Sequence, residues 1–144
     1  MTVIMDRLPE WGGVIFFSHG STHSKGVCIL MNPSLNCAFD NLQKDQTGRI
    51  ASVDLSLSGR KFSLCNIYAP TVKRKQEFLH DLSAYLMSNT DTERIIVGGD
   101  WNITLQSIDK KGSTSWQSTT ARDKLLAMTN EFALVDIFRE RNLH

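Results

Sequence analysis

The segment Arg94-Ile95-Ile96-Val97-Gly98-Gly99-Asp100-Trp101-Asn102 decides the fold of this chain. Its short apolar run predicts a buried strand over 94–97 that stops at two glycines. A carboxylate and a carboxamide follow, and because positions i and i+2 of an extended chain share a side, Asp100 and Asn102 are predicted to face one point. Both residues could simply cap a turn. Burying them unpaired costs about 1–3 kcal/mol each, so the pattern indicates a site rather than packing.

Composition places the chain among ordinary globular proteins. It has 144 residues, 41% of them hydrophobic and 22% charged, with a net charge of +1. No apolar run approaches the roughly 20 residues that a membrane span needs, and residues 1–11 carry no secretory signal. The three cysteines fit neither a disulfide framework nor a zinc site. We therefore expect one intracellular domain, nuclear or cytoplasmic, without a membrane partner.

Periodicity outlines an α/β arrangement. Strands are predicted at 14–17, 25–31, 37–43, 51–57 and 61–68, the last two joined by a tight turn at 58–60. Helices are predicted at 75–87 and 120–132, with Leu125, Leu126, Thr129 and Phe132 on the inner side of the second, and 134–138 is a short apolar element. Strands come first and then alternate with helices, which predicts an α/β sandwich with a mixed sheet.

A second strand also ends in unusual residues, Asn66-Ile67-Tyr68-Ala69-Pro70. Ligands in open α/β sheets tend to lie beyond the carboxyl ends of strands. If the two strands are neighbours, Tyr68, Asp100 and Asn102 converge. A phenol and an amide donate hydrogen bonds to phosphate oxygens, and a carboxylate binds a hard cation or orients a water. The pattern therefore predicts a phosphoryl-transfer site.

Four segments in this order carry a resemblance: 24–30, 66–70, 98–102 and 134–139. The chain resembles the endonuclease/exonuclease/phosphatase superfamily and, within it, the endonuclease domain of long-interspersed-element (non-LTR) retrotransposons. The resemblance covers essentially the whole chain. It implies a DNase-like, four-layer α/β sandwich with mixed, largely antiparallel sheets and flanking helices. It also implies magnesium-dependent hydrolysis of DNA phosphodiesters, with DNA and a fused reverse transcriptase as partners.

The same resemblance assigns roles to individual residues. Tyr68 matches the tyrosine that hydrogen-bonds the scissile phosphate, and Asn102 matches the asparagine that orients it. Asp100 matches the aspartate that handles the attacking water or the leaving oxygen, and it is the expected Mg²⁺ ligand. Asp109 falls where relatives carry an aspartate that braces the loop. Apart from the resemblance, Asn66 is expected to be structural and to hold a loop by hydrogen bonds.

The chain also departs from the family pattern. A block with the metal-binding glutamate and a serine-aspartate-histidine block are not matched, and neither Glu10 nor His144 has the right context. We therefore expect residues 1–144 to form one incomplete domain that binds Mg²⁺ weakly or not at all and is inactive alone. Two alternatives stay open: a phosphoesterase of the same superfamily that acts on small phosphoesters, and a non-catalytic α/β remnant.

Overall fold

The computed structural model describes residues 11–20, 26–71, 74–88, 94–106, 109 and 119–142. The elements in chain order are β1 (Val14–His19), β2 (Gly26–Met31), β3 (Ala38–Lys44), β4 (Ile50–Leu57), β5 (Arg60–Tyr68), α1 (Lys75–Ser88), β6 (Ile95–Asp100), α2 (Thr120–Glu131) and α3 (Ile137–Arg141). The chain divides into two compact units, Met1–Ala69 with Leu86–Trp101, and Pro70–Tyr85 with Asn102–His144. The expectation of a single domain over 1–144 stays a prediction.

Two sheets lie in the first unit. β1 and β2 form an antiparallel pair, and the second sheet has the order β3-β4-β5-β6. Its first two pairings are antiparallel, whereas β5 and β6 run parallel. A parallel neighbour requires a crossover connection, and α1 lies in the chain between these two strands. The predicted mixed, largely antiparallel α/β class is confirmed.

The β4–β5 hairpin is set by its turn. Ser58 and Gly59 both have positive φ, 50° and 76°, as two-residue turns that match the strand twist require. The register then runs without a shift from Leu57↔Arg60 to Ile50↔Ile67. Each residue of β4 therefore pairs with the residue of β5 at the same distance from the turn.

The core of the first unit joins both sheets. Phe16 and Met31 from the small sheet cluster with Val53 and Leu55 of β4. Partly buried side chains complete the cluster: Val14, Ile29, Cys37, Phe39, Leu42, Phe62 and Leu64. This face of the large sheet, hereafter the inner face, turns toward β1 and β2. Ile50 and Ser52, on the other face of β4, are buried as well, so this strand is covered on both sides near its start.

The prediction of a buried strand that stops at the glycines is wrong. β6 continues through Gly98 and Gly99 to Asp100 and forms an edge of the described sheet. Ile96 is 53% exposed. A short apolar run does not by itself distinguish a central strand from an edge strand, which explains the error.

The helices match the predicted positions closely. On α1 the apolar stripe Phe78, Leu79, Leu82 and Leu86 is buried. Thr119 caps α2, and its hydroxyl accepts a hydrogen bond from the Arg122 N–H group. Leu126 was predicted to face inward but is 44% exposed, whereas Met128 is buried with Leu125 one helical turn away. No helix in the described ranges is long and apolar enough to cross a membrane.

Candidate functional site

The ends of β5 and β6 bring two predicted site residues together. Tyr68 pairs with Asp100 in the parallel register, and each is the last residue of its strand. The Ala69 N–H group donates to the Asp100 carbonyl oxygen at 2.8 Å, so the pairing continues one step beyond β5. Paired residues of neighbouring strands project from the same face of a sheet. The two strand ends are therefore neighbours, and Tyr68 and Asp100 share the inner face at its rim.

Gly99 makes this close pairing possible. Its φ of 126° lies in a region that side-chain-bearing residues rarely adopt. A Cβ atom there would lie 2.0 Å from the Ile67 carbonyl oxygen and 2.8 Å from Asn66 Oδ1. The glycine that precedes Asp100 thus lets β6 approach β5 without displacing it.

Asn66 ties the two sheets together beneath the candidate site. It pairs with Gly98, and its Nδ2 donates a 2.7 Å hydrogen bond to the Cys28 carbonyl oxygen of β2. A structural role was predicted for it, and it holds a strand of the opposite sheet rather than a loop. Because Tyr68 lies two residues further along the same strand, this bond also shows that Tyr68 is on the inner face.

Arg49 is a residue of this rim that the sequence analysis did not single out. The Tyr68 N–H group donates to the Arg49 carbonyl oxygen at 2.9 Å, and Arg49 Nη1 donates back to the Tyr68 carbonyl oxygen at 2.9 Å. Its Cζ atom lies 5.4 Å from the centre of the Tyr68 ring. Arg49, Tyr68 and Asp100 therefore form a row across three adjoining chain segments. The hairpin turn could have revealed it, since Arg49 and Tyr68 are equally distant from Ser58-Gly59.

The loop before Arg49 is held by Asp45. The Asp45 Oδ1 atom accepts hydrogen bonds from the N–H groups of Arg49 at 2.8 Å and Ile50 at 2.9 Å, and from Ser18 Oγ at 3.2 Å. Partial burial by itself raises the pKa of this carboxyl. The hydrogen bonds from the Thr47 hydroxyl and from the backbone outweigh burial and lower the pKa from its ordinary value.

Asn102, the third predicted residue, belongs to the second unit. β6 ends at Asp100, and Asn102 has a positive φ of 48°, so it is not extended. The alternation argument that paired it with Asp100 therefore does not apply. Its carbonyl oxygen accepts a hydrogen bond from Lys75 Nζ at the start of α1. The buried Arg122 holds the following segment by donating from Nε to the Thr104 carbonyl oxygen at 3.1 Å.

Asp109 holds the backbone of residues 105 and 106, a bracing role like the one that the resemblance implies. Its Oδ2 accepts the N–H groups of Leu105 at 3.2 Å and Gln106 at 2.9 Å and pairs with Arg139 Nη2 at 2.6 Å. The Arg139 hydrogen bond is the main cause of a lowered Asp109 pKa. Arg139 also contacts Asp136 Oδ2 at 2.9 Å, and Asp136 caps α3. Asp109 is therefore a structural residue of the second unit.

Within the described ranges no group of three or more His, Cys, Asp or Glu side chains could hold a metal ion. Magnesium binds through one or two carboxylates together with waters and substrate phosphate. Asp100 offers one exposed carboxylate at the rim. Its role as a Mg²⁺ ligand stays a prediction.

Comparison with known proteins supports the fold. The chain is 33% identical over 134 residues to the "Transposon TX1 uncharacterized 149 kDa protein" of Xenopus laevis, a match that covers 92% of this chain and 10% of that protein. The endonuclease domain of TRAS1, a telomere-specific non-LTR retrotransposon, superimposes with a TM-score of 0.61 at 17% identity, covering 82% of this chain and 52% of that one.

A less similar structure is D. rerio TDP2 complexed with single strand DNA product, with a TM-score of 0.46, 21% identity, and coverage of 62% of this chain and 40% of that one. No protein-family model matches the chain. The chain is thus similar in sequence to a transposon protein and has the DNase-like α/β fold of a non-LTR retrotransposon endonuclease domain, which confirms the resemblance predicted from its motifs.

Proposed function

We propose that this chain supplies part of the DNA-cleaving site of a retrotransposon-type endonuclease. The observation that supports it most is the pairing of Tyr68 with Asp100 at adjoining strand ends, on a fold shared with such a domain. Ligands of open α/β sheets tend to bind beyond the carboxyl ends of the strands, where these two residues lie. DNA is the proposed partner.

The side chains of the rim suit phosphodiester chemistry. The Tyr68 phenol donates a hydrogen bond to a non-bridging oxygen of the scissile phosphate, where charge develops in the transition state. Asp100 orients the attacking water or assists the leaving oxygen. The phosphate-orienting role that the resemblance implies for the Asn102 amide stays a prediction, and Lys75 and Arg122 hold the segment that Asn102 begins.

Magnesium is the cofactor that the resemblance implies for the complete site. The row of Arg49, Tyr68 and Asp100 supplies one carboxylate, whereas magnesium is held through one or two carboxylates together with waters and substrate phosphate. We propose that the chain alone binds Mg²⁺ weakly and does not nick DNA. The chain spans 52% of the TRAS1 domain and 10% of the transposon protein. For the whole protein we propose full endonuclease activity, a fused reverse transcriptase and an intracellular location.

DNA binding by the purified 144-residue chain tests this function without requiring turnover. Fluorescence anisotropy with a labelled duplex in EDTA should show an affinity that falls steeply as salt rises. Tyr68→Phe removes one donor to a charged oxygen and should weaken binding about tenfold. Tyr85→Phe is the matched control, because it changes the other tyrosine of the chain, on α1, and should leave the affinity unchanged.

A plasmid-nicking assay with Mg²⁺ completes the test. No nicking is expected from the chain alone. Nicking that disappears in Asp100→Ala would support the endonuclease assignment and contradict the proposed inactivity. Absence of salt-dependent DNA binding would contradict the proposed function and favour a non-catalytic remnant.

A further inference from the structure

We propose that Arg49 is a positioning residue of this site, which holds the Tyr68 ring in the orientation that directs its hydroxyl at a DNA phosphate. The inference rests on the proposed function, in which Tyr68 contacts the phosphate. It adds a residue that the family motifs did not mark in the sequence.

The contacts between these two residues go beyond ordinary strand pairing. Two 2.9 Å hydrogen bonds join them, one from the Tyr68 N–H group to the Arg49 carbonyl oxygen and one from Arg49 Nη1 to the Tyr68 carbonyl oxygen. The guanidinium also lies over the aromatic ring, with Cζ 5.4 Å from its centre. Cations within about 6 Å of a ring centre are attracted to its face. One side chain thus fixes both the backbone and the ring of Tyr68.

Arg49 is itself held in place. Its N–H group donates to Asp45 Oδ1 at 2.8 Å, and the same oxygen accepts the N–H group of Ile50 at the start of β4. Arg49 is half-buried. A side chain that extends from an anchored backbone positions a neighbour more accurately than an arginine on a mobile surface loop does. Tyr68 therefore lies between a fixed cation on one side and Asp100 on the paired strand.

The geometry requires arginine rather than any positive charge. A planar guanidinium bonds a carbonyl oxygen with one N–H group and keeps its face against a ring, whereas a lysine ammonium is a compact point charge on a flexible stem. Arg49→Lys retains the charge that attracts DNA but loses the combined fork and ring contact. It separates positioning of Tyr68 from simple electrostatic attraction.

A double-mutant cycle measured as DNA affinity tests the inference. Arg49→Lys should weaken binding about tenfold, like Tyr68→Phe, because the misdirected hydroxyl loses its bond to the phosphate. In the Tyr68→Phe background there is no hydroxyl to direct, so adding Arg49→Lys should cause no further loss. Arg94→Lys is the matched control, since Arg94 lies 5.9 Å from the Phe62 ring near the other end of β5. It should bind DNA like the parent.

The outcomes separate this inference from the proposed function. If Tyr68→Phe binds like the parent chain, the phosphate role of Tyr68 fails and the inference falls with it. If Tyr68→Phe weakens binding and Arg49→Lys does not, or if the two losses simply multiply, the positioning role of Arg49 alone is overturned.

A second measurement needs neither DNA nor unaltered stability. With Tyr85→Phe, Tyr68 is the one remaining tyrosine of the two in the chain, so its ring signals in NMR spectra are unambiguous. Arg49→Lys should shift those signals, and Arg94→Lys should not. Unchanged Tyr68 ring signals in a folded Arg49→Lys variant would overturn the positioning role.

Discussion

Replacing Gly99 by alanine should destabilise the first unit by more than the addition of one methyl group suggests. The φ of 126° is a strained conformation for any residue with a side chain and costs about 1–3 kcal/mol. The new Cβ would also lie 2.0 Å from the Ile67 carbonyl oxygen. Because that oxygen belongs to the backbone, β6 must move away from β5, and each ladder hydrogen bond lost adds about 1 kcal/mol. We expect a total loss of about 3 kcal/mol in the free energy of unfolding.

Urea denaturation followed by far-UV circular dichroism measures this loss. With a denaturant dependence of about 1–3 kcal/mol per molar, the midpoint should fall by about 1–3 M. Gly98→Ala is the matched control, because a Cβ at Gly98 would meet nothing within 4 Å. Its stability should stay within about 1 kcal/mol of the parent. If Gly99→Ala unfolds at the same urea concentration as Gly98→Ala, the close approach of the two strands is refuted.

Three further predictions concern the same unit. Asn66→Ala removes the hydrogen bond to the Cys28 carbonyl oxygen and should lower the free energy of unfolding by about 1–3 kcal/mol, whereas an unchanged urea midpoint would contradict the inter-sheet bond. Asp45→Asn should destabilise at neutral pH. Because the pKa of Asp45 in the folded state is lowered from 3.8, the stabilisation that its carboxylate provides is present above pH 3.8 and is lost as the pH falls through the folded pKa. The melting temperatures of the parent chain and of Asp45→Asn should therefore converge in acid. Burial raises the pKa of Cys65 to about 12, so Cys65 should be the slowest of the three cysteines, Cys37 included, to react with a thiol reagent under mildly alkaline conditions.

Local patterns in the sequence predicted the elements well because each pattern reflects a local cause. Helical periodicity predicted a helix that begins at residue 75, and α1 begins at Lys75. Thr119, a residue type that favours N-caps, caps α2. Burial was predicted less well. Ile96 and Leu126 are exposed because the number of neighbours that cover a face is a property of the assembled fold, not of the run itself.

The candidate site was likewise predicted only in part. The sequence predicted that Tyr68 and Asp100 converge if their strands are neighbours, and the structure pairs these two residues. The argument from alternation failed for Asn102, because its backbone turns left-handed after β6, which no period-two rule anticipates. Its role in the site stays a prediction. Arg49 was overlooked because its position depends on counting back from the hairpin turn to a partner strand, a pairing step that motif reading omits.

The two neighbours of β5, namely β4 and β6, are expected to pair with it at different stages of folding. The hairpin that carries Tyr68 closes through a two-residue turn, and such short-range contacts form within about microseconds. β6, the strand that carries Asp100, is separated from β5 in the chain by α1. Contacts between residues so distant in sequence form slowly. Pulse-labelled amide exchange during refolding should therefore protect β4 and β5 first. The strand end that carries Tyr68 would then form before Asp100 pairs with it.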